Sequence, residues 1–154
     1  MAMHPDWGDA MVAFVCEHAR DAVCVEIGYR WGHGTSLMVR AGATHVYAID
    51  PYPLGPDPDP DRVTIIRGMA HQVARRVPES FDLLVIDGDH AYSSVLVDLR
   101  EYGSRAEAIA LHDADDPGVM LAWQWWASAI SKRSAVYVPG QFGALLSDAR
   151  SRVA

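Results

Sequence analysis

The sequence predicts an α/β fold: a Rossmann-like, doubly wound, mostly parallel seven-stranded sheet with a C-terminal antiparallel hairpin and helices on both faces. Two observations carry that prediction. Five short runs rich in β-branched and aliphatic residues, AVCVEIG, THVYAID, VTIIRG, FDLLVIDG and AEAIALHD, alternate with helical stretches, the pattern of parallel strands joined by crossovers. The last stretch, SAVYVPGQFGALLSD, reads as two more strands joined around Pro139 and Gly140, a hairpin and therefore antiparallel.

Each element follows from its local pattern. Met11, Val12, Phe14, Val15 and Ala19 recur at helical spacing between Asp9 and Ala19, so an amphipathic helix opens the chain. AVCVEIG breaks that rhythm and ends in Gly28, and GYRWGHGTSLMVRAGA continues as a glycine-bearing turn and a helix that closes near Gly42. THVYAID is a second strand with Asp50 at its C-terminal end. The loop PYPLGPDPDPDR that follows is packed with prolines and excludes a helix, because proline lacks the N–H and clashes with the preceding turn. VTIIRG, a helix over HQVARRV, FDLLVIDG, a helix over roughly 93–102, and AEAIALHD continue the alternation. In PGVMLAWQWWASAIS, Asp116 is the expected cap and Pro117 the expected first helical residue. Trp123, Trp125 and Trp126 on that helix either pack inside or form an interface, which makes a homodimer the assembly to expect.

At 154 residues the chain has the length of one domain. We expect a single unit over 1–154, divided into an N-terminal helix (1–22), a core (23–131) and the terminal hairpin (132–154). Half of the residues are hydrophobic and 21% charged, a globular balance. No apolar run nears the roughly 20 residues that cross a bilayer, and MAMHPDWGDAMVAF carries acids where a secretory signal carries lysines, so no membrane and a cytoplasmic location are expected. A net charge of −7 without a Lys/Arg cluster argues against a nucleic-acid partner, since such binding neutralises several phosphates at once. Cys16 and Cys24 are expected as free thiols on buried faces.

In doubly wound sheets, ligands bind beyond the carboxyl ends of the strands, where the strand order reverses. Those ends present Glu26 with Gly28, Asp50, Arg67 with Gly68, Asp87, and His112 with Asp113. Four of the five therefore carry an acid, a residue type that strands disfavour and burial penalises. In VEIGYRWGHGTS, Gly28, Gly32 and Gly34 let the chain turn sharply and let a ligand approach the backbone. The spacing is neither the dinucleotide fingerprint nor a P-loop, and Glu26 would repel phosphate, so an amine-bearing ligand fits better. Asp50, about two dozen residues further on, stands where an acid accepts hydrogen bonds from ribose hydroxyls. Together these residues describe a pocket for a nucleoside with a charged tail. His33 lies within reach of it, whereas His4, His18, His45 and His71 read as surface residues.

VEIGYRWGHGTS, VYAIDPYP, FDLLVIDGDHAYSSVLVDL and IALHD, in this order and spacing, resemble the class I S-adenosylmethionine-dependent methyltransferases. More narrowly, they are similar to the small metal-dependent O-methyltransferase group that includes macrolide-sugar methyltransferases. The resemblance spans roughly 23–131. It implies that Gly28, Gly32 and Gly34 wrap the methionine part of S-adenosylmethionine, that Glu26 contacts it, that Asp50 holds the ribose, and that Met69 and Ala70 lie against the adenine. Asp87 borders this cofactor and, with Asp113, is implied as a ligand of a divalent ion, with His90 as the general base.

Where relatives have an acidic pair, this chain has His112–Asp113, which adds His112 to the metal set. Imidazole is a poor ligand for magnesium and suits manganese, iron or zinc. The chemistry is coherent: methyl transfer to a hydroxyl needs that hydroxyl deprotonated, which a divalent ion and a near-neutral histidine both promote. Asp89 is left to cap the helix near Ala91. The expected activity is O-methylation of a small-molecule or sugar acceptor, with magnesium or manganese. The proline loop, the Trp7 and Trp31 regions or a neighbouring subunit are the available lids. Two rivals remain: a metal-dependent oxygenase built on two histidines and a carboxylate, and a non-catalytic oligomerising module of the same fold.

Overall fold

The computed structural model describes residues 4–131 and 133–147, so the outer limits expected for the domain and its terminal hairpin fall outside the described residues. Five strands run parallel: β1 (Val23–Ile27), β2 (His45–Asp50), β3 (Val63–Arg67), β4 (Phe81–Ile86) and β5 (Ala106–His112). β6 (Ser134–Val138) and β7 (Phe142–Leu146) form the hairpin, β7 lying antiparallel to β5. The order across the sheet is β3-β2-β1-β4-β5-β7-β6. The chain thus moves outward from β1 through β2 to β3, then returns to lay β4 on the other side of β1. The reversal falls between β1 and β4, where an open α/β sheet leaves a crevice.

The strands alternate strictly, and the alternation decides what faces where. Cys24, Leu83, Val85, Ala108 and Ala110 pack under α1 (Asp9–Ala19) and α2 (His33–Ala41) with Met11, Val15, Leu37 and Met38. Val25, Ile27, Leu84, Ile86, Ile109 and Leu111 pack on the opposite side, against Val95 and Leu99 of α4 (Tyr92–Tyr102) and Val119 and Trp123 of α5 (Pro117–Trp125). A period of two then assigns Glu26, Asp87 and His112 to the α1 side.

Several details depart from the sequence reading. The expected helix over HQVARRV is shorter: α3 (Ala70–Val73) passes into one 3₁₀ turn, Ala74–Arg76. The Arg105 guanidinium donates to the carbonyls of Ala74 in that turn and of Val77 and Pro78 just after it. Beyond α5 the chain widens into a π-helical turn, Trp126–Ser131. Trp123 and Trp126 are buried, whereas Trp125 is 40% exposed, so packing claims two of the three tryptophans. Cys24 is buried but Cys16 only half-buried. Asp116 caps α5 by accepting from the Gly118 N–H at 3.0 Å, as expected. Asp89 accepts from the Ala91 N–H and the Ser94 hydroxyl, which holds the start of α4. Among the described residues no helix is long and apolar enough to cross a membrane.

Candidate active site

Two cavities adjoin at the β1/β4 reversal and share Gly28, Arg30, Asp87 and Gly88. Gly28 makes the junction possible. Its φ of 101° is a conformation that side chains resist, and a Cβ there would strike the Asp87 carbonyl. With glycine in place, the Asp87 N–H continues the sheet by bonding Ile27 O at 2.8 Å.

The first cavity, about 580 Å³, is polar. At its base Glu26 is 1% exposed, and the Thr35 hydroxyl donates to its carboxylate. Burial pushes the Glu26 carboxyl up to about 8; Thr35 opposes this and the Asp87 charge adds to it. Gly34 lies directly on the group, and a Cβ there would collide with both the Glu26 carboxylate and Trp7.

Asp87 is held on both oxygens. One accepts from His112 Nδ1 at 2.8 Å, the other from the Trp7 indole N–H at 2.8 Å. His112 Nε2 lies 2.9 Å from the Asp6 carbonyl, which can only accept, so that nitrogen carries a proton. Burial alone would lower the His112 pKa, but the Asp87 hydrogen bond and the Asp87 and Asp113 charges outweigh it, and the net direction is up. His112 is therefore favoured as an imidazolium clamped between strand end and N-terminal segment.

His90 stands at the wall of the same cavity, its Nε2 3.3 Å from Asp113 and its Nδ1 4.0 Å from Asp116. Asp113 adopts φ 52°, uncommon for a residue with a side chain, and this turn brings its carboxylate within 3.3 Å of both His90 and His112. Donor atoms of Asp87, His90 and His112 all lie within 4.8 Å of one another. Asp113 braces the two imidazoles from the side.

His4 departs from the surface role expected of it. It is half-buried in the cavity wall, stacked on Trp7 at 4.0 Å, and burial chiefly lowers its pKa to about 4. His33 meets its ring edge-on at 5.7 Å. Two more of that group are half-buried, His18 against Phe14 and His45 bonded to Thr64; His71 is exposed.

The second cavity, about 460 Å³, has largely apolar walls that include Ile27, Ile49, Met69, Ala70 and Val97. Asp50 stands at one end, its carboxylate accepting from the N–H groups of Arg30 (2.8 Å) and Tyr52 (2.7 Å). Asp98, on α4, lines it as well. Of the glycines expected around a cofactor, Gly28 and Gly34 line the cavities, while Gly32 sits behind Tyr29 and opens α2 with φ 79°. The proline loop is pinned to the glycine loop by Leu54 and Gly55 N–H bonds to the Arg30 carbonyl. Sequence reasoning passed over His4, Asp6 and Asp98. For Asp98 a signal existed: an acid three residues after Val95, on the buried face of a helix.

The sequence pattern of a methyltransferase domain matches residues 25–116, well over half of the chain, and takes in all four acid-bearing strand ends. The chain belongs to the methyltransferase-domain family. The expected class I S-adenosylmethionine-dependent methyltransferase is thereby borne out, and so is its Rossmann-like sheet. The methyltransferase also resembles cofactor-bound Rv0187 from MTB, with 18% identity, 94% of this chain and 83% of that chain covered, and a TM-score of 0.71. An O-methyltransferase from Bacillus cereus in complex with SAH covers 94% and 82% at 16% identity, TM-score 0.64. CalS11, a TDP-rhamnose 3'-O-methyltransferase of calicheamicin biosynthesis, covers 89% and 77% at 13% identity, TM-score 0.63. At such identities the likeness is one of fold. No curated protein sequence matches the chain.

Proposed function

We propose that this methyltransferase transfers the methyl group of S-adenosylmethionine to a hydroxyl of a small molecule or sugar. The observation that carries the reading is the pair of joined cavities with His90 in the wall of the polar one. The apolar cavity suits adenosine, with Asp50 toward the ribose and Met69 and Ala70 toward the base. The polar cavity suits the charged methionine tail and the acceptor, with Glu26, Gly28 and Gly34 beside the tail. Neighbours of the same fold in cofactor-bound and SAH-bound form support the choice of cofactor.

In this reading, His90 accepts the acceptor's proton as the hydroxyl oxygen attacks the methyl carbon. The carbon–sulfur bond breaks with its electron pair staying on sulfur, which leaves neutral S-adenosylhomocysteine. Asp113 and Asp116 orient His90 and stabilise its charged form.

Divalent metal assistance belongs to the same proposal. Asp87, His90 and His112 converge closely enough to hold an ion, in which case His90 is a ligand and the ion, not His90, activates the hydroxyl; two imidazoles with a carboxylate suit manganese, iron or zinc better than magnesium. An ion bound there would lower the acceptor hydroxyl's pKa. His112 would first have to release its Nδ1 proton from Asp87. The same donor set is what the oxygenase rival asks for, and iron binding without S-adenosylmethionine binding would favour that rival.

The test is calorimetric titration of the full chain with S-adenosylmethionine and S-adenosylhomocysteine, with and without magnesium, manganese or iron, alongside Asp50→Ala. Saturable heat, weakened at least about tenfold in the variant, supports the reading. Absence of both heat and thermal shift with either compound overturns it.

A further inference from the structure

Asp98 is 7% exposed, and among the described residues no hydrogen-bond donor or cation pairs with it. It lines the apolar cavity from α4, one turn beyond Ser94, whose hydroxyl is already given to Asp89. A buried acid without a partner is costly, and here burial, with a lesser push from the Asp89 charge, raises its pKa to about 7. The fold thus retains in the wall of this cavity an acceptor that no donor among the described residues meets.

We propose that Asp98 reads the base of the cofactor, accepting a hydrogen bond from the exocyclic amino group of adenine. This rests on the reading that S-adenosylmethionine occupies the cavity, and it adds a specificity residue that the strand-end pattern did not contain. Three placements lead to the base. Ribose hydroxyls belong to Asp50, at the end of β2. The charged tail belongs to the polar cavity around Glu26. What remains beside Asp98 is the edge formed by Met69 and Ala70. Tyr102, one helical turn after Asp98, ties α4 to that edge by donating its hydroxyl to the Ala70 carbonyl at 2.6 Å. Adenine presents an amino donor there; hypoxanthine presents a carbonyl, which a carboxylate repels. A buried acceptor left facing another acceptor discriminates more strongly than an apolar wall does.

The probes are S-adenosylhomocysteine and its hypoxanthine counterpart, S-inosylhomocysteine, each titrated into the full chain and into Asp98→Asn at pH 8.5, where Asp98 is ionised and can only accept. The wild-type protein should favour the adenine compound by about ten- to a hundredfold. Asp98→Asn, whose amide can donate to the hypoxanthine carbonyl, should shrink that preference to a few-fold or invert it. Equal affinity of the wild-type protein for both compounds, or an unchanged preference in Asp98→Asn, overturns the assignment while leaving the cofactor reading intact. Failure of the wild-type protein to bind S-adenosylhomocysteine at all overturns both, a different result from base-blind binding. If Asp98→Asn fails to fold by circular dichroism, Asp98→Ser takes its place: it should lose most of the preference, and an unchanged preference overturns the assignment.

Discussion

The two cavities at the β1/β4 reversal hold similar numbers of acids and treat them in opposite ways. In the polar cavity the charges satisfy one another: Asp87 is held by Trp7 and His112, His112 by Asp87 and Asp6, and Asp113 lies between two imidazoles. In the apolar cavity Asp50 is satisfied by backbone N–H groups, but Asp98 is left without a partner. A network closed on itself preorganises a site for chemistry, because its members are held before substrate arrives. An unpaired acceptor in an apolar wall instead creates a demand that a ligand meets.

The sharpest way to break this contrast is at His90, the member of the polar network best placed to leave it and take a proton. His90→Gln should lower kcat/KM by about 10²- to 10⁴-fold once an acceptor is known, with little change in S-adenosylhomocysteine affinity. An equal loss of cofactor affinity would mean that His90 belongs to the binding site and not to the proton transfer.

Glu26 tests whether burial keeps one acid of the polar cavity neutral. Its pKa is raised from 4.5 to about 8, so the unfolded chain ionises there before the folded one does. This group's contribution to stability is complete below about 4.5 and declines as pH rises toward about 8, by a few kcal/mol. Denaturant unfolding of wild type and Glu26→Gln, compared from pH 5 to 8.5, should show the variant gaining relative stability as pH rises. Parallel curves would contradict the buried neutral acid. Both proteins retain His4 and His112, so their titrations largely cancel in the comparison.

A smaller effect is expected at the N-terminal clamp. Trp7→Phe keeps the ring stacked near His4 but removes the N–H given to Asp87, and should cost about 1–2 kcal/mol in denaturant unfolding. A neutral outcome would show that Asp87 finds another donor and that the network is less closed than the geometry indicates. Smallest should be Asp116→Ala. That carboxylate is 4.0 Å from His90 and both groups are well exposed, so kcat should fall only a few-fold. A hundredfold loss would make Asp116 the main orienter of the base.

Much of this was legible along the chain. The order of strands and helices follows from hydrophobic period and from Gly, Pro and capping signals, all of which act within a few residues. The acids at the strand ends and the Asp116–Pro117 helix start were legible for the same reason. The short α3 was not, because the carbonyls of Ala74, Val77 and Pro78 that follow it are taken by Arg105, reaching in from beyond α4. Nor was the split among the tryptophans, since all three sit in one apolar stretch and only the neighbouring α4 and the sheet decide which are covered.

By itself the sequence determined the kind of sheet and the strand ends, Glu26, Asp87 and His112 among them, where chemistry gathers; that these three share a face was set by the register of β1, β4 and β5. Tertiary structure decided who meets them there. Trp7 reaches Asp87 across 80 positions and His112 reaches Asp6 across 106, while Asp98 acquires its role from a cavity that no stretch of α4 encloses alone. Periodicity is written in neighbouring residues. Closure of a site depends on which distant elements the crossovers bring over the strand ends.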